Sequence, residues 1–190
     1  MSAPVLEVRG VRKHYHALRP IRLNEFVVEP GEHVAIVGVD QPAAEMIVNL
    51  FTGASLPDEG EIRVLGTPTA HITDSTDWLS VVDRFGLVSD RAVLLDGLTP
   101  LQNLAMPYAL DVEPPGQELR NRAERLARLV GLAEPVWARP AGELDAPDRL
   151  RLRLGRAMAL EPAIVILEHP SASLGGAVAT RLGPELRAAM

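Results

Sequence analysis

The fold is decided by residues 29–38, which read EPGEHVAIVG. Pro30-Gly31 is a turn pair, and the mainly apolar run 33–38 ends in a glycine. Such a short apolar run is typical of a strand buried at the centre of a sheet. Apolar residues then recur at helical spacing over residues 43–51. The order therefore predicts a central strand, a turn and a helix.

Apolar runs on both sides of this stretch predict further strands. They cover residues 6–11, 23–28, 61–66, 85–88 and 163–167. Between residues 99 and 160 apolar positions recur instead at helical spacing, and a final helix is predicted from near Ala177. Strands that alternate with helices and carry polar residues at their ends indicate an α/β layered domain.

Size, charge and composition limit the functions that this chain can have. Its 190 residues, of which 47% are hydrophobic, are expected to fold as one globular domain. The net charge of −6 disfavours nucleic acid as a partner. No secretory signal is visible, nor an apolar run of the roughly 20 residues that a membrane helix needs, so we expect a cytoplasmic protein.

Metal binding has little support in the sequence. The chain has no cysteine, which excludes disulfides and thiolate metal sites. His14 and His16 flank Tyr15 next to Lys13 and suggest a metal site, but no further ligand type lies nearby. A surface loop is therefore the favoured interpretation of this histidine pair.

Six short motifs occur in a fixed order along the chain. They are Tyr15 after the first strand, residues 29–38, residues 50–53, residues 57–62, residues 94–107 and residues 156–170. In order and spacing they resemble the nucleotide-binding domain of ABC transporters, over residues 5–180. The resemblance is closest to the subfamily that serves lipoprotein and lipid extraction or macrolide-type export.

The resemblance implies a P-loop NTPase-like fold, the ABC ATPase domain of the α/β class. Such a domain has a central sheet with an antiparallel β edge and a helical subdomain, and the last strands of the family have no counterpart here. Residues 1–98 and 161–190 are expected to form the ATPase-core-like domain, and residues 99–160 the helical subdomain.

In that family a glycine-rich loop surrounds phosphate with backbone amides, a lysine neutralises the β and γ phosphates, and a hydroxyl holds Mg²⁺. Here Gly38 is retained, but Ala44 stands at the lysine position and Glu45 at the hydroxyl position. Pro42 lacks an amide hydrogen. Asp40 and Glu45 place negative charge where a triphosphate would lie, which disfavours binding by about a few kcal/mol for each close charge. Only the helix N-terminus still favours an anion.

The other positions that handle nucleotide in the family are also replaced. They are Asp90 at the Q-loop glutamine, Asp145 in the altered signature loop, Glu168 and His169 where the family has Asp then Glu, and Gly175 at an aspartate. Asp145 followed by Pro147 is also typical of the first turn of a helix. Glu168 could still coordinate a metal through water.

Tyr15 and His169 each allow two interpretations. Tyr15 stands where the family stacks an aromatic ring on adenine, or it packs at a strand end. Tyr15 and Gly38 are therefore the candidate nucleotide contacts. His169 could act as a general base near neutral pH, or it caps a strand end and bonds a neighbour. Without a bound γ-phosphate a base has no reaction to assist, so no catalytic residue and no metal ligand is assigned.

Three arginines, Arg149, Arg153 and Arg156, share one face of a predicted helix. The face could contact nucleic acid. In an acidic chain, a solvated face whose arginines pair with acids such as Glu143 or Glu161 is favoured.

These features lead us to expect a non-hydrolysing structural or regulatory subunit. It would dock to the transmembrane subunit of an ABC-type transporter, with a second nucleotide-binding subunit as a further partner, and lie in the cytoplasm or at the inner face of the membrane. No cofactor is assigned, and ATP with Mg²⁺ is expected to bind only weakly. One alternative is a weakly active ATPase subunit of an export or lipid and lipoprotein transport system that uses Glu168 and His169. The other is a truncated gene product without a stable role.

Overall fold

The computed structural model describes residues 3–16, 19–72 and 74–190, and the chain forms two compact units, Met1–Phe85 and Gly86–Met190. The first unit contains β1 (Leu6–Lys13), β2 (Ile21–Val28), α1 (Gln41–Phe51), β3 (Glu59–Val64), β4 (Thr67–Pro68), a 3-10 helix (Thr69–His71) and α2 (Ser75–Val82). The elements that follow are β5 (Phe85–Val88), α3 (Pro100–Ala105), α4 (Gln117–Leu129), two 3-10 helices (Glu134–Val136 and Ala141–Glu143), α5 (Ala146–Met158), β6 (Ile164–Leu167) and α6 (Gly176–Ala189).

The first unit is built on an antiparallel sheet in the order β2-β1-β3-β4. Val8 of β1 lies opposite Phe26 of β2 and Ile62 of β3, so one face of the sheet is apolar. Helix α1 covers that face, and the ring of Phe51 stacks on that of Phe26 with centroids 5.7 Å apart. The residues that precede α1 therefore lead into a helix that is packed against the sheet.

A bulge between Arg9 and Arg12 shifts the register of β1 against β3. It brings two glycines with positive φ close together, Gly10 at 59° and Gly60 at 84°. A Cβ on Gly60 would lie 2.5 Å from the carbonyl oxygen of Arg9, which no real contact tolerates. Glycine is therefore required at position 60 by both its backbone angle and its surroundings.

The second unit is centred on helices α3, α4 and α5, whose apolar faces meet. Leu104, Leu152 and Leu154 are fully buried there. Strands β5 and β6 form a separate two-stranded sheet, and α6 adds Leu182 and Leu186 to the same core. This unit therefore combines a helical layer with the strand pair that carries Glu168 at its end.

The predicted strands at residues 6–11, 23–28, 61–66, 85–88 and 163–167 are confirmed as β1, β2, β3, β5 and β6, and the predicted helices as α1 and α3 to α6. Strand β4, helix α2 and the three 3-10 helices were not predicted. Strand β4 has only two residues, too few for a pattern, and α2 is a short helix none of whose residues is buried. The division into a core of residues 1–98 and 161–190 and a helical subdomain of residues 99–160 stays a prediction.

The prediction of a buried strand at residues 33–38 is wrong. These residues take no regular structure and are exposed, with Val37 at 85% of its full accessibility. A strand exists only where a neighbour accepts its backbone hydrogen bonds, and neither sheet of the described residues includes this segment. Apolar composition alone therefore did not decide its conformation.

We expect Gly86→Ala to lower the free energy of unfolding by about 1–3 kcal/mol, as overpacking does. The added Cβ would lie 2.4 Å from the backbone oxygen of Ala157, which cannot rotate away. Gly97→Ala is the matched control, because a Cβ there has no described atom within 4 Å. Urea denaturation measures both variants, and equal losses would contradict the close approach of β5 to α5.

Candidate functional site

The N-terminus of helix α1 is capped by a carboxylate of the chain itself. Asp40 is the N-cap residue, and its Oδ1 accepts a hydrogen bond of 2.9 Å from the amide of Ala43. Pro42, one residue earlier, has no amide hydrogen. The N-terminus of α1 therefore already holds an anion, and one of the amides that could reach a ligand is used by the chain itself.

The remaining P-loop-like positions surround this cap. Ala44 donates its amide to the backbone oxygen of Asp40 at 2.9 Å, which closes the first helical turn. Glu45 accepts a 2.9 Å hydrogen bond from the side chain of Gln41. Gly38 lies in the exposed segment before the helix with φ of 78°. The turn is thus complete in itself and carries acids but no cationic side chain at residues 38–46.

Helix α5 begins in the same way. Asp145 is its N-cap residue and accepts a 2.9 Å hydrogen bond from the amide of Asp148, with Pro147 between them. The sequence prediction of an Asp cap with Pro in the first turn is confirmed. Residues 40–42 and 145–147 therefore share one local structure, which we name the Asp-x-Pro cap.

Glu168 lies at the end of β6, where its amide donates to the backbone oxygen of Val88 on β5 at 2.8 Å. Its side chain is only 1% exposed, and Oε2 accepts a 2.5 Å hydrogen bond from the guanidinium of Arg91. A buried carboxylate requires such compensation. The acid that follows β6 is thus neutralised by a cation from the segment after β5.

The arginine face of α5 is not a solvated face. Arg153 forms a 2.7 Å ion pair with Asp90, the residue expected at the Q-loop position, and Arg149 one of 2.9 Å with Asp96. The expected partners Glu143 and Glu161 are therefore wrong for these arginines. Arg156 donates to the backbone oxygen of Val93 at 2.6 Å. Burial lowers the pKa of Arg156, although a guanidinium stays protonated at neutral pH.

His169, directly after Glu168, has a strained backbone with φ of 44°. Its Nε2 is buried and has no hydrogen-bond partner among the described residues. Its backbone oxygen accepts a 2.9 Å bond from the amide of Ala172. The imidazole therefore does not bond a neighbour through Nε2 among the described residues. The interpretation of His169 as a base remains the untested alternative, and no catalytic role is assigned to it.

The other predicted positions lie apart from these groups. Tyr15 is half-buried after the end of β1, and its stacking on a base stays a prediction. Gly175 is the N-cap residue of α6. The amide of His14 and the ammonium of Lys13 both bond Asp58, and they hold the pKa of that exposed carboxyl below its usual value. Across residues 3–16, 19–72 and 74–190, no group of three or more His, Asp or Glu could hold a metal ion.

The structure brings Asp90 and Glu168 to neighbouring points of the second unit, because β5 and β6 pair and both acids follow these strands. Asp145 stands two turns before Arg153 on α5. Sequence reasoning missed Arg91 and the buried Asn103. The spacing of the arginines on α5 could have indicated acidic partners after β5, whereas nothing local marks Arg91.

The fold is that of the ATP-binding cassettes. CbiO1 from Clostridium perfringens, described as part of the ABC transporter complex cbiONQ, aligns with a TM-score of 0.78 at 21% identity, over 97% of this chain and 72% of that chain. A dimeric cassette bound to ADP and Pi aligns at 0.73 and 22% identity, over 95% of this chain and 81% of that chain. In the described part of the chain no helix is long and apolar enough to cross a membrane.

The sequence profile of the family described as ABC transporter matches residues 22–172. The chain belongs to this family. LolD, the ATP-binding protein of a lipoprotein-releasing system in Saccharophagus degradans, is 31% identical over 92% of this chain and 77% of its own length. MacB 1 of Aeromonas hydrophila, a macrolide export ATP-binding/permease protein, is 28% identical over 92% of this chain and 27% of its own. MetN of Brucella abortus, a methionine import ATP-binding protein, is 28% identical over 91% of this chain and 46% of its own length. The chain is thus an ABC transporter ATP-binding domain related to these proteins.

We expect Asp40→Ala to lower the free energy of unfolding by about 1 kcal/mol, because the amide of Ala43 loses its acceptor. Asp40→Asn should cost less than half of that, since an asparagine oxygen caps equally well. Chemical denaturation of both variants measures the difference. If Asp40→Ala were as stable as the wild type, the cap would contribute nothing to α1.

Proposed function

We propose that this chain is a non-hydrolysing ABC-type domain, a structural or regulatory subunit that docks to a membrane partner. The observation that carries the proposal is the pair of Asp-x-Pro caps. In this family the P-loop helix and the signature helix hold the phosphates of ATP from two subunits. Here both helices begin with an aspartate carboxylate that accepts an amide hydrogen of the first turn.

A magnesium triphosphate does not fit these residues. At α1 it would meet the carboxylates of Asp40 and Glu45 without a lysine between them, and Pro42 cannot donate. At the strand end, Glu168 is bound to Arg91, so a metal would have to displace a buried guanidinium contact. Each of these features by itself disfavours the binding of a magnesium triphosphate.

The same residues argue against an ordinary half-active pair. An ATP site in this family takes its P-loop from one subunit and its signature loop from the other. Because this chain has Asp-x-Pro caps at both positions, it would impair both sites even beside an intact second nucleotide-binding subunit. A partner role that survives without turnover is contact with a transmembrane subunit, at the inner face of the membrane.

Nucleotide titration tests this proposal. We expect ¹H–¹⁵N NMR shift titration with ATP to give a Kd weaker than about 1 mM for the wild type, whether or not Mg²⁺ is present. Asp40→Asn should strengthen ATP binding by about tenfold, because it removes one negative charge at the α1 N-terminus and keeps the cap. A micromolar Kd for Mg·ATP in the wild type would overturn the proposal.

Asp74→Asn is the matched control. Asp74 caps α2 with bonds from the amides of Thr76 and Asp77, so the charge change is the same at another helix of the same unit. We expect this variant to bind ATP as weakly as the wild type. If both variants gained affinity equally, the carboxylate of Asp40 would not be what excludes the triphosphate.

A second candidate function is a weakly active ATPase subunit of an export or lipid and lipoprotein transport system. One observation favours it, the buried Nε2 of His169 without a partner among the described residues, on a strained backbone beside Glu168. Strain and an unsatisfied imidazole are features that functional sites retain. The relatives LolD and MacB are named for lipoprotein release and macrolide export.

Phosphate release from Mg·ATP decides between the two. The second candidate requires turnover by purified protein that is lost in His169→Ala and kept in His33→Ala, an exposed histidine in the other unit. The first proposal expects no turnover above a blank. Turnover that both variants keep would indicate a contaminating ATPase and would leave the second candidate without its base.

A further inference from the structure

We infer that residues 89–99, the segment between β5 and α3, are clamped in one conformation by the arginines of this chain and do not respond to nucleotide. This β5–α3 segment contains Asp90, the residue at the Q-loop position. The inference is independent of whether ATP binds, because the contacts on which it rests, described below, lie within the second unit.

Three arginines of α5 hold the segment along its length. They lie on one face of the helix. Arg149 reaches Asp96 at 2.9 Å, Arg153 reaches Asp90 at 2.7 Å, and Arg156 reaches the backbone oxygen of Val93 at 2.6 Å. The side chain of Arg153 is only 16% exposed although its partner Asp90 is 67% exposed. The helix therefore supplies a shielded cation to a solvent-facing acid, a geometry in which an ion pair contributes more than on an open surface.

A fourth arginine anchors the opposite side of the segment. Arg91 points to the buried Glu168 after β6 while its neighbour Asp90 is paired with Arg153 on α5. Consecutive residues are thus tied to two different elements. A movement of the segment would take this cation away from a carboxylate whose side chain is only 1% exposed, which is unfavourable.

The backbone of the segment is fixed as well. Asn103 is fully buried on α3, and its side chain accepts from the amide of Leu95 and donates to the oxygen of Leu95, both at 3.0 Å. The amide of Arg91 bonds the hydroxyl of Ser89 at 2.9 Å, and the amide of Leu98 bonds the oxygen of Leu95 at 3.1 Å. These are the bonds of a closed loop, and they protect individual amides from exchange with solvent.

A ligand shifts a conformational equilibrium only through its different affinity for the two states. Because ion pairs and the Asn103 bonds already favour one state, little population remains for a nucleotide to move. Val93, which is 69% exposed, is then held at a fixed position, because Arg156 bonds its backbone oxygen. The β5–α3 segment then keeps the same conformation with and without nucleotide.

Hydrogen exchange followed by mass spectrometry tests the clamp on the whole chain. In nucleotide-free protein we expect slow exchange at the amides of Arg91, Leu95 and Leu98, and no change on addition of Mg·ATP. Arg153→Gln should speed exchange in the segment by about fivefold. Arg120→Gln is the matched control, because it removes an ion pair with Glu124 on α4. It should leave the segment unchanged.

If Arg153→Gln does not fold, substitution of its partner Asp90 tests the same ion pair. Asp90→Asn alters an exposed side chain without changing its size, and it should speed exchange as Arg153→Gln does. Amide exchange in the double variant should be no faster than in either single variant, because both substitutions remove the same ion pair. Exchange at unprotected rates in the wild type, equal effects of Arg153→Gln and Arg120→Gln, or protection that changes with Mg·ATP would each overturn the clamp. Since ATP affinity is measured separately by NMR, a failed clamp and a failed proposed function give different results.

Discussion

The amide hydrogens at the first turn of a helix need acceptors, and the way this chain supplies them shapes the rest of the structure. An ATP-binding cassette of the ordinary kind leaves such amides for phosphate. In this chain Asp40 and Asp145 supply the acceptor from inside the sequence, followed in each case by a proline that removes one donor. Local helix stability and phosphate binding compete for the same amides. Each Asp-x-Pro cap favours the helix. Helices α1 and α5, whose counterparts in the family flank the phosphates, both begin with this cap.

The strands and helices that carry an apolar pattern were predictable from sequence, and so was the cap at Asp145. The segment 33–38 was not, because its conformation depends on whether a neighbouring strand pairs with it, which no local pattern records. The cap at Asp40 follows the same Asp-x-Pro spacing as the one at Asp145. The same spacing therefore predicts a cap at Asp40 as well.

The ion pairs of the second unit were beyond sequence reasoning. Arg91 and Glu168 are 77 residues apart, and they meet only because β5 and β6 are neighbours. The helix face of Arg149 and Arg153 was visible, but its partners lie in a segment without regular structure. Asp90 and Glu168 are each paired with a guanidinium that is distant in the sequence. For Glu168, whose side chain is 1% exposed, the pair compensates a buried charge.

The exposed run 34–37 has a consequence for the behaviour of the chain in solution. Its four residues, Val34, Ala35, Ile36 and Val37, combine high strand propensity with no charge and no proline. Such a run can pair edge to edge between chains and seed aggregation. Glu32 on one side and Asp40 on the other are the nearest acids. Charged residues at such flanking positions oppose pairing between chains, because like charges repel when two copies of the run meet.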